Sequence, residues 1–159
     1  MVFEYVSTGR VKIDEIAFEF GDSRERVRAI IGSIYTEDNQ TIQIGATEDD
    51  IIHQRRDIYS NINSSENYFF LSYDMQDLLS EVEVHFCDSI KVFESQFEFD
   101  DDFESVKSKL ILYSPVIIRN EGECFFNNLK VVIMSKEQMG GEGTTLGYFY
   151  CAADVTHLD

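Results

Sequence analysis

The chain has 159 residues, with 30 acidic against 13 basic side chains for a formal net charge of −17, and it is 43% apolar and 13% aromatic. That length and apolar share fit one domain with a packed core and exclude a wholly disordered chain, while the negative field disfavours nucleic acid and anionic membranes and favours a basic protein partner. One proline, Pro115, excludes Pro-rich linkers, and three widely spaced cysteines (Cys87, Cys124, Cys151) read as reduced thiols of a cytoplasmic protein.

In chain order, residues 1–6 lack a basic start and a long apolar run, and Glu4 interrupts them, so they do not read as a signal peptide. No stretch approaches the roughly 18 apolar residues of a membrane span. Phe18 and Phe20 lie two apart, on one face of a strand. The pattern then predicts a helix over 23–31. Ser23 can accept first-turn amides, Val27, Ile30 and Ile31 form one stripe with Arg24 and Arg28 outside it, and Gly32 ends the helix. Residues 33–66 carry little periodicity, and 49–59 read as a helix, a lid or an irregular insertion. Segments 67–73 and 78–86 predict a β-hairpin around 74–77. In that pairing Phe69, Leu71 and Tyr73 share the core face with Leu78, Val82, Val84 and Phe86. Tyr68 and Phe70 share the other face with Glu81, Glu83 and His85. A third strand follows at 90–93. Phe97 and Phe99 precede a second helix over 102–112, with Phe103, Val106 and Leu110 as its stripe. Strands are expected at 116–118, 124–126, 129–134 and 146–151.

An internal match organises these elements. Phe18, Glu19, Phe20, Asp22, Glu25, Val27 and Arg28 recur 79 residues later as Phe97, Glu98, Phe99, Asp101, Glu104, Val106 and Lys107. The expectation is a single α+β domain of two pseudo-repeats, about 11–93 and 94–159, with a helix per repeat packed on an antiparallel sheet. The spacing of Gly21, Ser23, Val27, Ile30, Ile31 and Gly32 resembles the helix signature of β-lactamase-inhibitor-like modules, to which modules of outer-membrane-assembly lipoproteins are related. The resemblance implies a short helical element on an antiparallel sheet, two units in tandem, and a sheet surface that grips another protein. In the second copy Asp100 and Ile111 stand where the first has Gly21 and Gly32. In size and acidity the chain is similar to bacterial toxin immunity proteins.

Few residues suggest chemistry. His85 and Cys87, two apart on a strand, are nitrogen and sulfur donors of the kind zinc takes, but Cys124, Cys151 and His157 are too dispersed to complete a set, so no metal or cofactor is expected. His53, His85 and His157 accompany no nucleophile elbow or cysteine-protease signature, so no enzyme is expected. Glu81 and Glu83 read as a solvated strand face instead of a glycosidase pair. The glycine-rich run at 140–147 lacks a Walker lysine and leads into a strand, which makes it a hairpin connection. Asp100, Asp101 and Asp102 read as helix capping. Residues 37–102 hold 17 carboxylates against three cations. Tyr68, Phe70, Glu81, Glu83 and His85 therefore read as a partner-binding face, aromatics anchoring and carboxylates steering, unless residues 33–66 cover it. The expected function is an immunity-type inhibitor, monomeric or homodimeric, that occludes a basic partner such as a toxin or nuclease. The alternatives are a small hydrolase or ligand-binding protein with a pocket between the repeats, and a structural homodimer pairing edge strands.

Overall fold

The computed structural model describes residues 1–45 and 51–155, and His157 lies outside them. The elements are β1 (Val2–Ser7), β2 (Arg10–Ile13), β3 (Ile16–Glu19), α1 (Arg24–Ile31), β4 (Thr36–Gln43), β5 (Ile51–Ser60), β6 (Tyr68–Tyr73), β7 (Leu79–Phe86), β8 (Ser89–Val92), β9 (Ser95–Phe97), α2 (Phe103–Ile111), β10 (Val116–Asn120), β11 (Glu123–Phe126), β12 (Val131–Ser135) and β13 (Leu146–Ala152). The fold is mixed α+β. It has two sheets where one antiparallel sheet was expected: five strands in the order β3-β2-β1-β8-β9, and eight in the order β10-β11-β12-β13-β7-β6-β5-β4. The larger sheet is antiparallel throughout, whereas β1 joins the hairpins β2–β3 and β8–β9 by pairing in parallel with β8. Segment 90–93 thus belongs to the smaller sheet.

The two sheets face each other across one core. Phe3, Tyr5, Val11, Ile13 and Phe18 from the smaller sheet meet Phe69, Leu71, Val82, Val84 and Phe149 from the larger, and Val27, Ile31, Val106 and Leu110 bring in both helices. Phe149 packs 5.7 Å from Phe3 and 6.3 Å from Phe97 between ring centroids. Each such side chain contributes about 1.5–3 kcal/mol by leaving water. The core face of the 67–86 hairpin is as expected apart from two bulges: one between Ser72 and Tyr73 seats Leu79, not Leu78, opposite Tyr73, and one between Tyr68 and Phe69 sets Phe86 opposite Tyr68.

Both helices begin as their sequences predict, and α1 also ends so. Ser23 accepts from Arg26 N at 3.3 Å, Asp102 accepts from Ser105 N at 3.1 Å, and Gly32 closes α1 in the left-handed region at φ 64°. The two helix entries use the same bonds. Glu19 N donates to the Asp22 carboxylate at 2.9 Å, and Glu98 N donates to Asp101 at 3.2 Å. Arg24 N donates to Asp77 O and Leu79 N to Asp22 O; likewise Phe103 N donates to Thr144 O and Leu146 N to Asp101 O. Val11 pairs with Phe18 as Ile90 pairs with Phe97, and each hairpin turns through a left-handed residue, Asp14 or Phe93.

Two expectations fail for one reason. Residues 49 and 50 of the 49–59 segment lie outside the described residues, and the rest of it forms a strand, β5, which pairs with β4 and β6 at the edge of the larger sheet. Arg24, expected outside the helix stripe, is 6% exposed. The inward positions of β5 are Asp57 and Tyr59, both fully buried. With a carboxylate in an inward position, β5 carries no apolar alternation, and that same carboxylate draws Arg24 inward.

Candidate functional site

Strand alternation sends one set of side chains of the larger sheet into the core and the other to its opposite, outer face. On that outer face Tyr68 and Phe70 of β6, Glu81, Glu83 and His85 of β7, and Tyr148 and Tyr150 of β13 come together. The register places Phe70 opposite Glu83 and Tyr150 opposite Glu83 on the other side. All five residues singled out from the sequence therefore lie on one surface. The His85 ring sits 5.5 Å from Tyr68, 4.5 Å from Phe70 and 5.2 Å from Tyr148, and Tyr68 meets Phe70 edge-on at 5.0 Å. Such tilted and edge-on pairs are favoured by the ring quadrupoles.

Charged groups are threaded through these rings. Tyr148 donates its hydroxyl to Glu83 Oε2 at 3.1 Å, and burial together with that carboxylate pushes the phenol's pKa up. Burial and the Glu81 charge do the same to Tyr150. His85 Nε2 lies 3.7 Å from Glu83 Oε2, beyond hydrogen-bond reach, and is buried without a hydrogen-bond partner. Arg56 stacks over Phe70 at 4.6 Å while its Nε donates to Asp38 at 2.7 Å. Towards β10, a shallow pocket of about 220 Å³ is lined by Glu81, Glu123, Arg119, Met134, Tyr148 and Tyr150. Beside it Val155 packs with Phe125, Val132, Tyr150 and Ala152.

Sequence reasoning missed Tyr148, Tyr150, Arg56 and Asp38. The alternation Tyr148, Phe149, Tyr150 signalled the two tyrosines, whereas Arg56 and Asp38 sat in the segment without apolar periodicity. Of residues 33–66, the described strands β4 and β5 extend the same sheet at its edge, and Arg56 of β5 reaches over Phe70. The acidic middle is also less concentrated than its run in sequence suggests. Asp57 is consumed inside, Asp77 pairs with Arg55, Asp88 pairs with the N-terminal ammonium, and Asp101 and Asp102 serve the entry to α2. Among the described residues, Glu81, Glu83 and Asp38 are the members of that run on the outer face.

A second polar cluster lies on the core side. The Asp57 carboxylate accepts from Arg24 Nε and Nη2 at 3.2 and 2.6 Å and from Arg28 Nε and Nη2 at 2.8 and 2.7 Å. Arg24 also donates to Asn39 and to Arg56 O, and Arg28 donates to Glu37. Burial by itself raises the Asp57 pKa, but hydrogen bonds from Arg28 and Arg24 outweigh it and hold the carboxyl below its ordinary value. The hydroxyls of Tyr59 and Tyr73 are buried beside this cluster, that of Tyr59 without a hydrogen-bond partner among the described residues and that of Tyr73 close to Asp57. With every charge matched, the cluster is a structural ion network.

The remaining candidates separate. β7 ends at Phe86, and Cys87 turns inward with its thiol on Ser89 O at 3.3 Å, so His85 and Cys87 do not share a face. Burial pushes the Cys87 thiol up to about 12. His53 is exposed on β5, 3.3 Å from Thr41 Oγ1. Among the described residues no group of three or more His, Cys, Asp or Glu side chains is arranged to hold a metal ion, and no helix is long and apolar enough to cross a membrane. Comparison of the chain with protein-family models, with curated proteins and with solved structures finds no match.

Proposed function

We propose that this chain is a protein-binding module that works through the outer face of its eight-stranded sheet, and that its partner is a basic protein blocked by occlusion, as immunity proteins block toxins. One observation carries the reading. The rings of Tyr68, Phe70, His85 and Tyr148 form a single patch around Glu83 on the sheet face opposite the core, while both helices bury their stripes on the core side. Aromatic side chains lose little rotamer freedom on docking and dominate interface energetics, and carboxylates among them select a cationic partner. Tyr68, 41% exposed, is the anchor best placed for contact. A net charge of −17 adds long-range attraction for such a partner. Three buried free thiols fit a reducing, cytoplasmic setting.

We also read the chain as two pseudo-repeats, with β1 as an added strand and the boundary moved from about 93/94 to 88/89, because the hairpin β8–β9 is the counterpart of β2–β3. The shared entry bonds of α1 and α2 support this, as do the matching bulges of β6–β7 and β12–β13. On this reading Phe103 and Cys124 are the counterparts of Arg24 and Asp57, and the β4–β5 ribbon is longer than its counterpart β10–β11. The outer patch lies where the two halves meet, along the β7–β13 pair.

The test is affinity capture from the source cell with three baits: wild type, the outer-face variant Tyr68→Ala/Glu81→Lys/Glu83→Lys, and a control, Glu94→Lys/Glu98→Lys, altered on either side of β9 in the smaller sheet. A protein of net positive charge retained by wild type and control and lost by the outer-face variant is the expected result. Equal retention by all three removes the outer face from the account.

A further inference from the structure

The two edges of the larger sheet differ in chemistry. β4, at one end, presents Glu37 and Asp38, held by Arg28 and Arg56, with one exposed apolar side chain, Ile42 at 37%, towards its far end. Charged side chains on an edge strand discourage further pairing. β10, at the other end, reads Val116, Ile117, Ile118, Arg119 and Asn120. Val116 packs on the core, but Ile117 and Ile118 are 48% and 62% exposed, and Ile111 and Leu112 at the end of α2 add 44% and 77% exposed apolar side chains just before it. Among the described residues β10 pairs with β11 alone, so its other row of backbone N–H and C=O groups has no strand beside it. An apolar edge strand with an open ladder is a template for another strand.

Charge decides which strand. Residues 105–120 form the longest run in the chain without a carboxylate, and they carry Lys107, Lys109 and Arg119. Each cation is answered within its own chain, by Glu104, Asp101 and Glu123 respectively. Two copies of a chain with a net charge of −17 repel at most approaches. Along this edge they meet without opposing carboxylates or unanswered cations. We propose that β10 pairs antiparallel with β10 of a second copy about a twofold axis at Ile118, joining two eight-stranded sheets into one. A twofold contact is self-complementary by construction, so every exposed residue of the edge meets the same edge. The central Ile118 faces its twin, and Ile117 of each copy lies opposite Arg119 of the other. This pairing is independent of the outer-face reading and leaves that face open on both copies.

Sedimentation velocity across the micromolar range tests it. The wild type is expected to run at twice the chain mass of 18.4 kDa, and Ile117→Lys/Ile118→Lys at that mass, with unchanged circular dichroism because both residues are exposed. A control at the other edge, Ile42→Lys, stays dimeric. Since the whole chains repel, raising the salt concentration tightens the dimer several-fold, the opposite of an ion-paired interface. Ile118→Cys gives a second readout: mild oxidation cross-links it to its twin, whereas Ile42→Cys stays uncross-linked. A wild type monomeric throughout the range overturns the proposal. So does a dimer that survives both lysines, or an Ile118→Cys protein that fails to cross-link.

Discussion

The Arg24–Asp57 pair offers the sharpest energetic test. Asp57→Asn keeps the side-chain volume and removes the charge that accepts four hydrogen bonds from Arg24 and Arg28. Arg24 then keeps two neutral acceptors, Asn39 Oδ1 and Arg56 O. The nearest remaining carboxylates are Asp77 at 3.6 Å and Glu37 at 4.0 Å, both partly in water. Breaking a buried ion pair on one side costs about 3–5 kcal/mol, and those two screened carboxylates hold the loss to about 3 kcal/mol. In urea, followed by circular dichroism, that is a midpoint shift of about 1–3 M. Replacing both partners is different in kind. Arg24→Phe with Asp57→Cys installs the pair found at Phe103 and Cys124, and apolar replacement of a whole buried pair is close to neutral. The double variant is therefore expected to be about 2 kcal/mol more stable than the two single losses added together. Losses that simply add would refute both the coupling of Arg24 to Asp57 and the equivalence of the two helix entries.

Acid sensitivity follows from the same carboxylate. Its folded pKa lies below its unfolded value, so its stabilisation is complete above about pH 4 and fades as the pH falls through the folded value; the stability gap between wild type and Asp57→Asn should close in acid urea titrations. Gly147→Ala is expected to cost about 1–3 kcal/mol, because a Cβ there would stand 2.7 Å from Lys136 backbone atoms, whereas Gly9→Ala, with nothing within 4 Å, should melt like wild type. Burial raises the pKa of all three thiols, so at pH 8 a disulfide reagent should label none in the native protein and all three in urea.

What the sequence made legible was what obeys a simple period or a local cap. Ser23, Asp102 and Gly32 act within one helical turn, and the alternation from Phe69 to Tyr73 states its own faces. The outer patch was legible for the same reason, since Tyr68, Phe70, Glu81, Glu83 and His85 are fixed to one side by parity once the hairpin is recognised. Long-range partners were not. Nothing local says that β1 will lie parallel to β8 and divide the strands between two sheets. The β5 strand was hidden because Asp57 occupies an inward position, and only the distant Arg24 and Arg28 make that position tolerable. The run of carboxylates between residues 37 and 102 overstated the acidity of any one surface, because linear density takes no account of Asp57, Asp77 and Asp88 being paired within the fold.

The claim that matters most is that the aromatic side of β6, β7 and β13 touches the partner. Ring resonances report it without any mutation: on adding a basic protein retained in the capture experiment, the Tyr68, His85 and Tyr148 ring signals should shift and broaden while the amides of Glu94 and Glu98 stay in place. Unmoved rings in a complex that demonstrably forms would contradict the account.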